Sequence, residues 1–350
     1  MPHIKRKRTV LSVAFPFLPV TANSAGGAEQ ILYQLETGLV EAGWRSIVVA
    51  ARGSEVAGEL LETPAAHPEI TEEVRRVGQS AHADAIREVL ARTHVDLIHF
   101  HGLDFYSYAP DSPVPQLATL HLPVEWYPGS IFTDDRFHLC CVSRAQAQLA
   151  PHHDVTIVEN GIPVSRYFAC EAPEGPLVWL GRVCPEKGAD IALRVAHRQD
   201  LPLIVAGPVH PFRTHQVYFD ERVRPLLDEK RRYVGPVGMN EKIKLLSTAS
   251  CLLIPSLAAE TSSLIAMEAS ASGTPVVAFR SGALPEIVEQ GRTGLIVGSE
   301  EEMAAVIPEA RVLRSELCRS RAEERFDAGR MVDGYLKLYN RILSRPRRLA

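Results

Sequence analysis

The feature that most constrains the fold is a strand, turn, helix and strand pattern in the last third of the chain. Residues 252–254 form a short apolar run that predicts a buried strand. Ser262 and Ser263 then offer N-cap hydroxyls to a helix over residues 264–271. Residues 274–278 predict the next strand. Strands joined through a helix pair in parallel, so the pattern predicts an open α/β sheet with ligands at the carboxyl ends of its strands.

The same alternation runs through the whole chain in two series. Turn chemistry at residues 160–163, followed by a polar stretch to residue 175, predicts a hinge between them. We therefore expect an N-terminal domain over 1–165, joined by a C-terminal helix over 330–350, and a second domain over 166–329. Residues 63–80 show no clear pattern and predict irregular surface structure. The predicted strands are 9–14, 47–50, 96–100, 116–120, 137–142, 177–180, 203–206, 232–234, 251–254, 275–278 and 295–297, and the predicted helices include 26–42, 83–92 and a tail over 330–343.

Composition limits the functions open to the chain. Its 350 residues suffice for two domains, and a net charge of -4 argues against nucleic-acid binding. No apolar run approaches the ~18 residues that a membrane span needs. The basic start, Lys5 to Arg8, predicts a solvated arm with at most peripheral contact to anionic lipid. Six cysteines without a C-x-x-C pair indicate buried thiols in a reducing cytoplasm. The oligomeric state stays open.

Two carboxylates with seven residues between them bracket the turn after residue 254. Glu260 lies before the helix start, and Glu268 lies about one turn into the helix. Backbone N–H groups and the helix dipole at this turn favour an anion or a hydroxyl-rich ligand. The alternative is that both acids are solvated charges near a helix end.

A glycine turn with two cations follows the strand at residues 177–180. Residues 181–188 read GRVCPEKG, where Arg182 can bind phosphate oxygens in a bidentate manner and Lys187 adds a point charge. Cations at a helix start are disfavoured by the dipole unless an anion compensates. The loop therefore predicts a diphosphate clamp, with a pair of surface cations as the alternative.

The first strand and first helix are joined by Gly26, Gly27, Ala28 and Glu29. This is not G-x-G-x-x-G, which excludes a nicotinamide dehydrogenase, although two glycines still let the backbone approach a phosphate or a sugar.

Three histidines lie at the ends of two predicted strands of the first series. The H-x-H pair of His99 and His101 ends one strand and places both rings on one face, and His121 follows the next predicted strand. A pair without an obvious third ligand does not predict a metal site. A histidine at a strand end is commonly a hydrogen-bonded structural residue, and that reading stays open.

Taken together, these motifs resemble the retaining sugar-nucleotide glycosyltransferases of family 4. The resemblance rests on E-x7-E, on the G-R-x-x-x-x-K-G segment, on G-G-A-E, and on the EASASGTPVVA and GALPEIVEQGRTGLIV runs. It implies the GT-B fold, in which two Rossmann-like domains with parallel sheets face each other across a cleft and the C-terminal helix crosses back to the first domain. It also implies a retaining transfer without a bound metal, since no D-x-D acid pair stands in a suitable context.

The resemblance assigns roles residue by residue. Many relatives read E-x-F-G where this chain has Glu260-Thr261-Ser262-Ser263, which leaves the shape of the sugar pocket open. The implied catalytic residues are Arg182, Lys187, Glu260 and His121, and the implied donor contacts are Gly26, Gly27, Gly181, Gly207, Gly235, Val237, Ser262, Ser263, Leu264 and Glu268, with Glu268 on the ribose. Residues that suit an acceptor are His99 and His101 at a strand end and Asp104, Tyr106 and Trp126 in loops, where the last three serve equally as ordinary loop residues.

The resulting expectation is transfer of a sugar from a nucleoside diphosphate sugar to a hydroxyl acceptor, with no cofactor. UDP is the commonest nucleotide in the resembled family, and GDP stays open. The acceptor is a sugar, a lipid-linked glycan or a natural product. Two alternatives remain: a sugar-nucleotide epimerase of the same fold, and a sugar-nucleotide binding protein without catalysis.

Overall fold

A computed structural model describes residues 6–24, 26–65, 70–151, 155–170 and 174–344 of the chain. The strands are β1 (Thr9–Val13), β2 (Arg45–Ala51), β3 (Glu59–Thr63), β4 (Leu97–Phe100), β5 (Gln116–Leu120), β6 (Phe137–Cys141), β7 (Thr156–Ile157), β8 (Leu177–Leu180), β9 (Leu203–Ala206), β10 (Arg231–Tyr233), β11 (Cys251–Ile254), β12 (Val276–Phe279) and β13 (Gly294–Val297). The α-helices are α1 (Gly27–Glu41), α2 (Glu72–Arg92), α3 (Arg144–Leu149), α4 (Ala189–Arg198), α5 (Arg213–Tyr218), α6 (Met239–Thr248), α7 (Leu264–Ala271), α8 (Leu284–Ile287), α9 (Glu300–Ala310), α10 (Ser315–Arg325) and α11 (Ala328–Ser344).

The chain divides into two compact units. The N-terminal unit consists of residues 1–161 and 328–350, and the C-terminal unit consists of residues 162–327. The chain therefore passes from one unit to the other twice.

The N-terminal unit is built on a parallel sheet. Its described strands run in the order β3-β2-β1-β4-β5-β6-β7. Every residue of β1 and of β4 is buried, because helices cover both faces of a parallel sheet. Buried apolar side chains of these strands, including Leu11, Ile98 and Phe100, pack into one core.

Two strands and half of a helix of this unit were absent from the sequence-based expectation. The β3 strand pairs only with β2, and β7 has two residues and pairs only with β6, so both lie at the edges of the described sheet. Edge strands bury less apolar surface and therefore carry a weak hydrophobic signal. Helix α2 begins at Glu72 within the stretch expected to be irregular, where the Thr71 hydroxyl accepts a hydrogen bond from the Val74 N–H. Residues 66–69 of that stretch lie outside the described residues.

The C-terminal unit contains a second parallel sheet. Its described strands run in the order β10-β9-β8-β11-β12-β13, and β8 pairs with both β9 and β11. All six predicted strands of this series are confirmed within one residue at each end. The two parallel sheets covered by helices confirm the predicted fold class.

The last described helix, α11, belongs to the N-terminal unit. The predicted stripe of Met331, Tyr335, Leu338 and Ile342 is buried, and Val332 packs so closely on Gly38 of α1 that a Cβ there would lie 2.5 Å from it. The Tyr335 hydroxyl hydrogen-bonds Thr119, 3.0 Å away. Residues 345–350 of the predicted helix lie outside the described residues.

Two expectations from composition concern cysteines and membrane spans. Five of the six cysteines are buried and Cys170 is half-buried, all with free thiols. Over the ranges that the structure describes, we find no helix with the length and apolar character to cross a bilayer.

Candidate functional site

Three glycines meet at the carboxyl ends of β8, β9 and β10. The Gly207 N–H donates to the Gly235 carbonyl oxygen at 2.8 Å, and the Tyr233 hydroxyl donates to the Gly207 carbonyl oxygen at 2.8 Å. Gly207 has a φ of +142°, and a Cβ there would lie 1.8 Å from the carbonyl oxygen of Gly181. Only glycine fits this position. Val237 is half-buried in the loop that follows.

The loop of residues 181–188 leaves β8 and leads into α4, and we call it the 181–188 loop. Gly188 ends it in the left-handed conformation, with a φ of +67°, and a Cβ there would lie 2.4 Å from the Pro255 carbonyl oxygen after β11. The Trp179 indole N–H donates to the Lys187 carbonyl oxygen at 3.2 Å. These contacts hold the loop against the turn that follows the neighbouring strand.

Lys187 and Glu260, 73 positions apart in the chain, form an ion pair at this edge. The Lys187 Nζ lies 2.6 Å from Glu260 Oε1, with side chains 29% and 12% exposed. The Ser256 hydroxyl donates to the same oxygen at 2.5 Å. A Cβ on Gly282 would lie 2.1 Å from the Glu260 carbonyl oxygen, so the backbone is also tightly enclosed. Two predicted catalytic residues are thus in direct contact.

Arg182 is an exposed residue of the 181–188 loop. It forms no ion pair with the residues that the structure describes. Burial raises the pKa of the neighbouring Glu186 carboxyl, but a bond from its own backbone N–H, a bond with Cys184 and the Arg182 charge outweigh that effect and leave the pKa below its ordinary value. The Arg182 guanidinium is thus exposed at the strand edge, with the Glu186 carboxylate as a nearby opposite charge.

Glu268 lies on α7 and is 2% exposed. Its Oε1 accepts hydrogen bonds from the Lys242 Nζ at 2.5 Å and from the Tyr167 hydroxyl at 2.8 Å. Burial and the adjacent carboxylate raise the pKa of Tyr167, which keeps its hydroxyl protonated as the donor. Lys242, Tyr167 and Ser256 were not among the predicted site residues, since none belongs to a recognisable motif.

The start of α7 lacks the serine hydroxyl cap that the sequence predicts. Ser263 occupies the N-cap position, but its side chain makes no capping hydrogen bond. The Ser262 hydroxyl is buried and has no hydrogen-bond partner in the described part of the chain. The first N–H groups of α7, at Leu264 and beyond, are therefore not capped by Ser263.

In the N-terminal unit, Gly26 and Gly27 lead into α1. Gly26 is the N-cap residue, and a Cβ on it would lie 1.9 Å from Glu29 Oε2. Glycine at position 26 thus lets the Glu29 carboxylate fold over the helix start. Burial raises the pKa of this carboxyl.

His99 is a core residue. It is 0% exposed, its Nδ1 lies 2.7 Å from the Tyr339 hydroxyl, and its Nε2 lies 2.8 Å from the Thr119 hydroxyl. Both ring nitrogens are used inside the unit, so the structural reading applies to His99 and an acceptor contact does not fit this arrangement.

His101 and His121 form a second, nearly stacked pair. The His101 Nδ1 lies 3.0 Å from the His121 Nε2, so one ring donates to the other. Burial lowers the pKa of His121 to about 4 and that of His101 well below its ordinary value. Both rings are therefore neutral at pH 7, and His121 offers a polar contact without a charge.

The remaining predicted acceptor residues differ in exposure. Asp104 is 3% exposed, and its Oδ2 accepts from the Gln79 amide at 2.7 Å. Tyr106 and Trp126 are exposed by 39% and 58%. The two aromatic rings are accessible in this unit, whereas Asp104 is enclosed.

The fold and these loops define a class of protein, and comparison with known families identifies it. Residues 25–166 match the family described as Glycosyltransferase Family 4, and residues 175–310 match Glycosyl transferases group 1. The chain belongs to this family of glycosyltransferases.

Individual glycosyltransferases are similar to parts of this chain. A D-inositol 3-phosphate glycosyltransferase of Corynebacterium efficiens is 35% identical over 36% of this chain and 31% of its own length. One from Saccharomonospora viridis is 30% identical over 48% and 43% of the two chains. A glycogen synthase of Mycobacterium tuberculosis is 31% identical over 50% and 45%. The matches thus span less than half the length of these relatives.

Solved structures match almost the whole chain. AviGT4, a glycosyltransferase involved in avilamycin A biosynthesis, superposes with a TM-score of 0.74 at 23% identity, covering 97% of this chain and 99% of its own. A sucrose-phosphate synthase from Thermosynechococcus elongatus gives 0.81 at 18% identity, covering 97% and 100%. HepE from Anabaena, in complex with UDP-glucose, gives 0.74 at 15% identity, covering 95% and 99%. These similarities establish the fold.

Proposed function

We propose that the protein is a retaining glycosyltransferase that moves a sugar from a nucleoside diphosphate sugar to a hydroxyl acceptor without a metal in the reaction. The observation that carries the proposal is the Lys187–Glu260 pair, with Arg182 on the same loop, at the carboxyl ends of β8 and β11. That edge of an open α/β sheet is where ligands bind. The names of the relatives and the complex of HepE with UDP-glucose support the reaction class and favour UDP.

The cations of the 181–188 loop bind the diphosphate in this proposal. An ammonium group has three N–H donors, and Lys187 uses one on Glu260, which leaves others for phosphate oxygens. The Arg182 guanidinium adds two parallel N–H donors that bind phosphate oxygens. Both stabilise the charge that grows on the diphosphate as it leaves.

The acids orient the donor. Glu260 accepts a sugar hydroxyl, together with the N–H groups at the start of α7. Glu268 accepts the ribose hydroxyls, positioned by Lys242 and Tyr167. Gly207 and Gly235 let the nucleotide approach the backbone.

The acceptor binds the N-terminal unit in this proposal. The exposed rings of Tyr106 and Trp126 suit stacking on a sugar, a lipid-linked glycan or a natural product. His121 offers a neutral hydrogen-bonding group on the same unit.

A two-stage experiment tests the proposal. A thermal-shift panel of UDP, GDP, ADP and dTDP sugars identifies the donor, because a ligand that binds only the native state raises the melting temperature. The bound donor is then incubated with sugar, lipid-linked and natural-product acceptors, and released nucleoside diphosphate and the anomeric configuration of the product are measured.

The outcomes separate the alternatives. Retained configuration without added Mg²⁺ or Mn²⁺ supports the proposal. Isomerised sugar nucleotide from donor alone identifies an epimerase instead, and binding without diphosphate release from any acceptor identifies a binding protein. A panel in which no nucleotide sugar raises the melting temperature refutes the donor assignment.

A further inference from the structure

A cluster of metal-type ligands lies beside the 181–188 loop. Cys184 Sγ, a Glu186 carboxylate oxygen and a His215 ring nitrogen all lie within 4.8 Å of one another. Cys184 and His215 are buried and Glu186 is half-buried. Thiolate, imidazole and carboxylate are the three ligand types that zinc prefers in proteins.

The geometry is close to that of a zinc site. Bonds of about 2.0 to 2.3 Å in a tetrahedral arrangement place ligand atoms roughly 3.3 to 3.6 Å apart. Separations of up to 4.8 Å need to shorten by up to about 1.5 Å, which small rotations of the three side chains supply in this proposal. His215 is 8% exposed, and its buried Nδ1 has no hydrogen-bond partner among the described residues. Such an unpaired polar atom is costly unless it binds something.

Hydrogen bonds between α4 and α5 hold the cluster in place. His215 lies on α5, and the Tyr218 hydroxyl at the end of that helix donates to Asp190 Oδ1 at 2.6 Å and accepts from the Asp190 N–H at 3.1 Å. Asp190 lies in the first turn of α4, directly after the 181–188 loop. The three ligands are therefore held together by contacts that do not depend on a metal.

The charges balance for a divalent cation. The Arg182 charge acts on both Cys184 and Glu186, the Lys187 charge acts on Cys184, and both oppose a cation there. A thiolate and a carboxylate bring two negative charges, which neutralise a dication locally. On binding, the Cys184 thiol releases its proton to solvent and the sulfur forms a bond to the metal.

We propose that Cys184, Glu186 and His215 bind one Zn²⁺ ion, with water in the fourth position. The ion is separate from the sugar transfer and fastens the 181–188 loop. The Glu186 carbonyl oxygen accepts from the Leu257 N–H at 2.8 Å and from the Ser256 hydroxyl at 3.4 Å. A metal on the Glu186 side chain therefore ties this loop, α5 and the turn before Glu260 into one assembly.

Zinc binding to the full chain tests the proposal without reference to activity. Metal-free protein is titrated with Zn²⁺ against a chromophoric chelator, and Co²⁺ is used as a spectroscopic probe of thiolate ligation. We expect one high-affinity Zn²⁺ per chain and a thiolate-to-cobalt charge-transfer band. Cys184→Ala and His215→Gln should each weaken binding by at least about 100-fold, since even loss of an outer-shell partner costs 10- to 100-fold.

Cys170→Ala is the matched control, because Cys170 is a free, half-buried thiol outside the cluster. It should bind Zn²⁺ as the unchanged chain does. Should a buried substitution prevent folding, Glu186→Gln tests the half-buried ligand.

Three results overturn the proposal: no stoichiometric Zn²⁺, affinity unchanged in the Cys184→Ala and His215→Gln chains, or bound Co²⁺ without a thiolate charge-transfer band. Each differs from failure of the transferase proposal, which the nucleotide-sugar panel measures on its own.

Discussion

Lys187 is the residue on which the proposed chemistry depends most. Its Nζ pairs with Glu260 at 2.6 Å, and its carbonyl oxygen accepts from Trp179, so both the side chain and the backbone are fixed before any ligand binds. Fixed charges of this kind stabilise a transition state without reorganisation.

Substitution at the two loop cations therefore measures their contribution. Lys187→Ala and Arg182→Ala should each lower turnover by roughly 100-fold or more, by analogy with the loss of one oxyanion donor. Released nucleoside diphosphate is the readout. Lys244→Ala, at an exposed lysine of α6, should leave turnover unchanged. A folded Lys187→Ala protein with nearly normal turnover would remove this residue from the mechanism.

The buried contacts of Glu268 make a prediction about stability. Tyr167→Phe removes a hydrogen bond to a buried carboxylate, which should cost about 1.5 to 3 kcal/mol, whereas Lys242→Met breaks a buried ion pair and should cost about 3 kcal/mol or more. Urea unfolding measures both. Tyr233→Phe is the control, because it removes a bond to a neutral carbonyl oxygen and should cost about 1 kcal/mol. Equal losses of unfolding free energy in Tyr167→Phe and Tyr233→Phe would contradict the stabilising role of the Glu268 charge.

Sequence reasoning reached those site residues that lie inside local motifs. Lys187 follows a strand end and Gly181, and Glu260 opens the E-x7-E spacing after another strand, so both positions could be predicted from the sequence. Their mutual contact is observed in the structure. Lys242 and Tyr167 reach Glu268 from 26 and 101 residues away. No local pattern encodes such distant contacts, and for the same reason the burial of His99 by Tyr339 was not anticipated.

Secondary-structure elements were predicted best where they are buried. Apolar strands such as β11 and β13 have no exposed residue and carry a continuous hydrophobic signal. Helix α2 shows the opposite case, since only four of its 21 residues are buried. Its polar first half therefore resembled irregular surface structure in the sequence.

One of the four buried residues of α2, His82, should make stability depend on pH. Burial lowers the pKa of His82 to about 4, below the value of 6.5 expected in the unfolded chain. The unfolded state thus binds more protons as pH falls below 6.5, and stability present above that pH is lost toward pH 4, by up to about 3 kcal/mol.

Chemical unfolding at pH 7.5 and pH 4.5 tests this dependence. His82→Leu should lose less stability between the two values than the unchanged chain, because the titrating group is gone. Val89→Ala is the control, since it removes buried apolar surface of the same helix and should destabilise the protein equally at both values. A His82→Leu protein with an unchanged pH dependence would contradict the assignment.

At the scale of the whole molecule, the chain builds its N-terminal unit from two separate segments. Residues 328–350 return to the unit that begins at residue 1, after the whole C-terminal unit has been completed. The helical stripe of α11 was visible in the sequence, since its apolar residues recur at helical spacing. The residues that α11 contacts could not be predicted, because Tyr335 hydrogen-bonds Thr119 and Tyr339 hydrogen-bonds His99 across more than 200 residues.

The N-terminal unit should therefore require α11 to fold. Ending the chain at Asp327 removes the six buried side chains of α11, which are Met331, Val332, Tyr335, Leu338, Tyr339 and Ile342. Each contributes about 1.5 to 3 kcal/mol, so the loss is on the order of 10 kcal/mol, comparable with the whole stability of a domain. The C-terminal unit keeps all of its own core and should stay folded.

Hydrogen exchange followed by mass spectrometry distinguishes the two units. In the shortened chain, amides of β4 and β5 should exchange rapidly, whereas amides of β8 and β11 should remain protected. The control is Asp333→Ala with Lys337→Ala in the full chain, which changes the exposed face of α11 and should leave both sheets protected. Protection of β4 and β5 in the shortened chain would show that the first segment folds alone, because its own core of strands and helices would then suffice without Tyr335 and Tyr339.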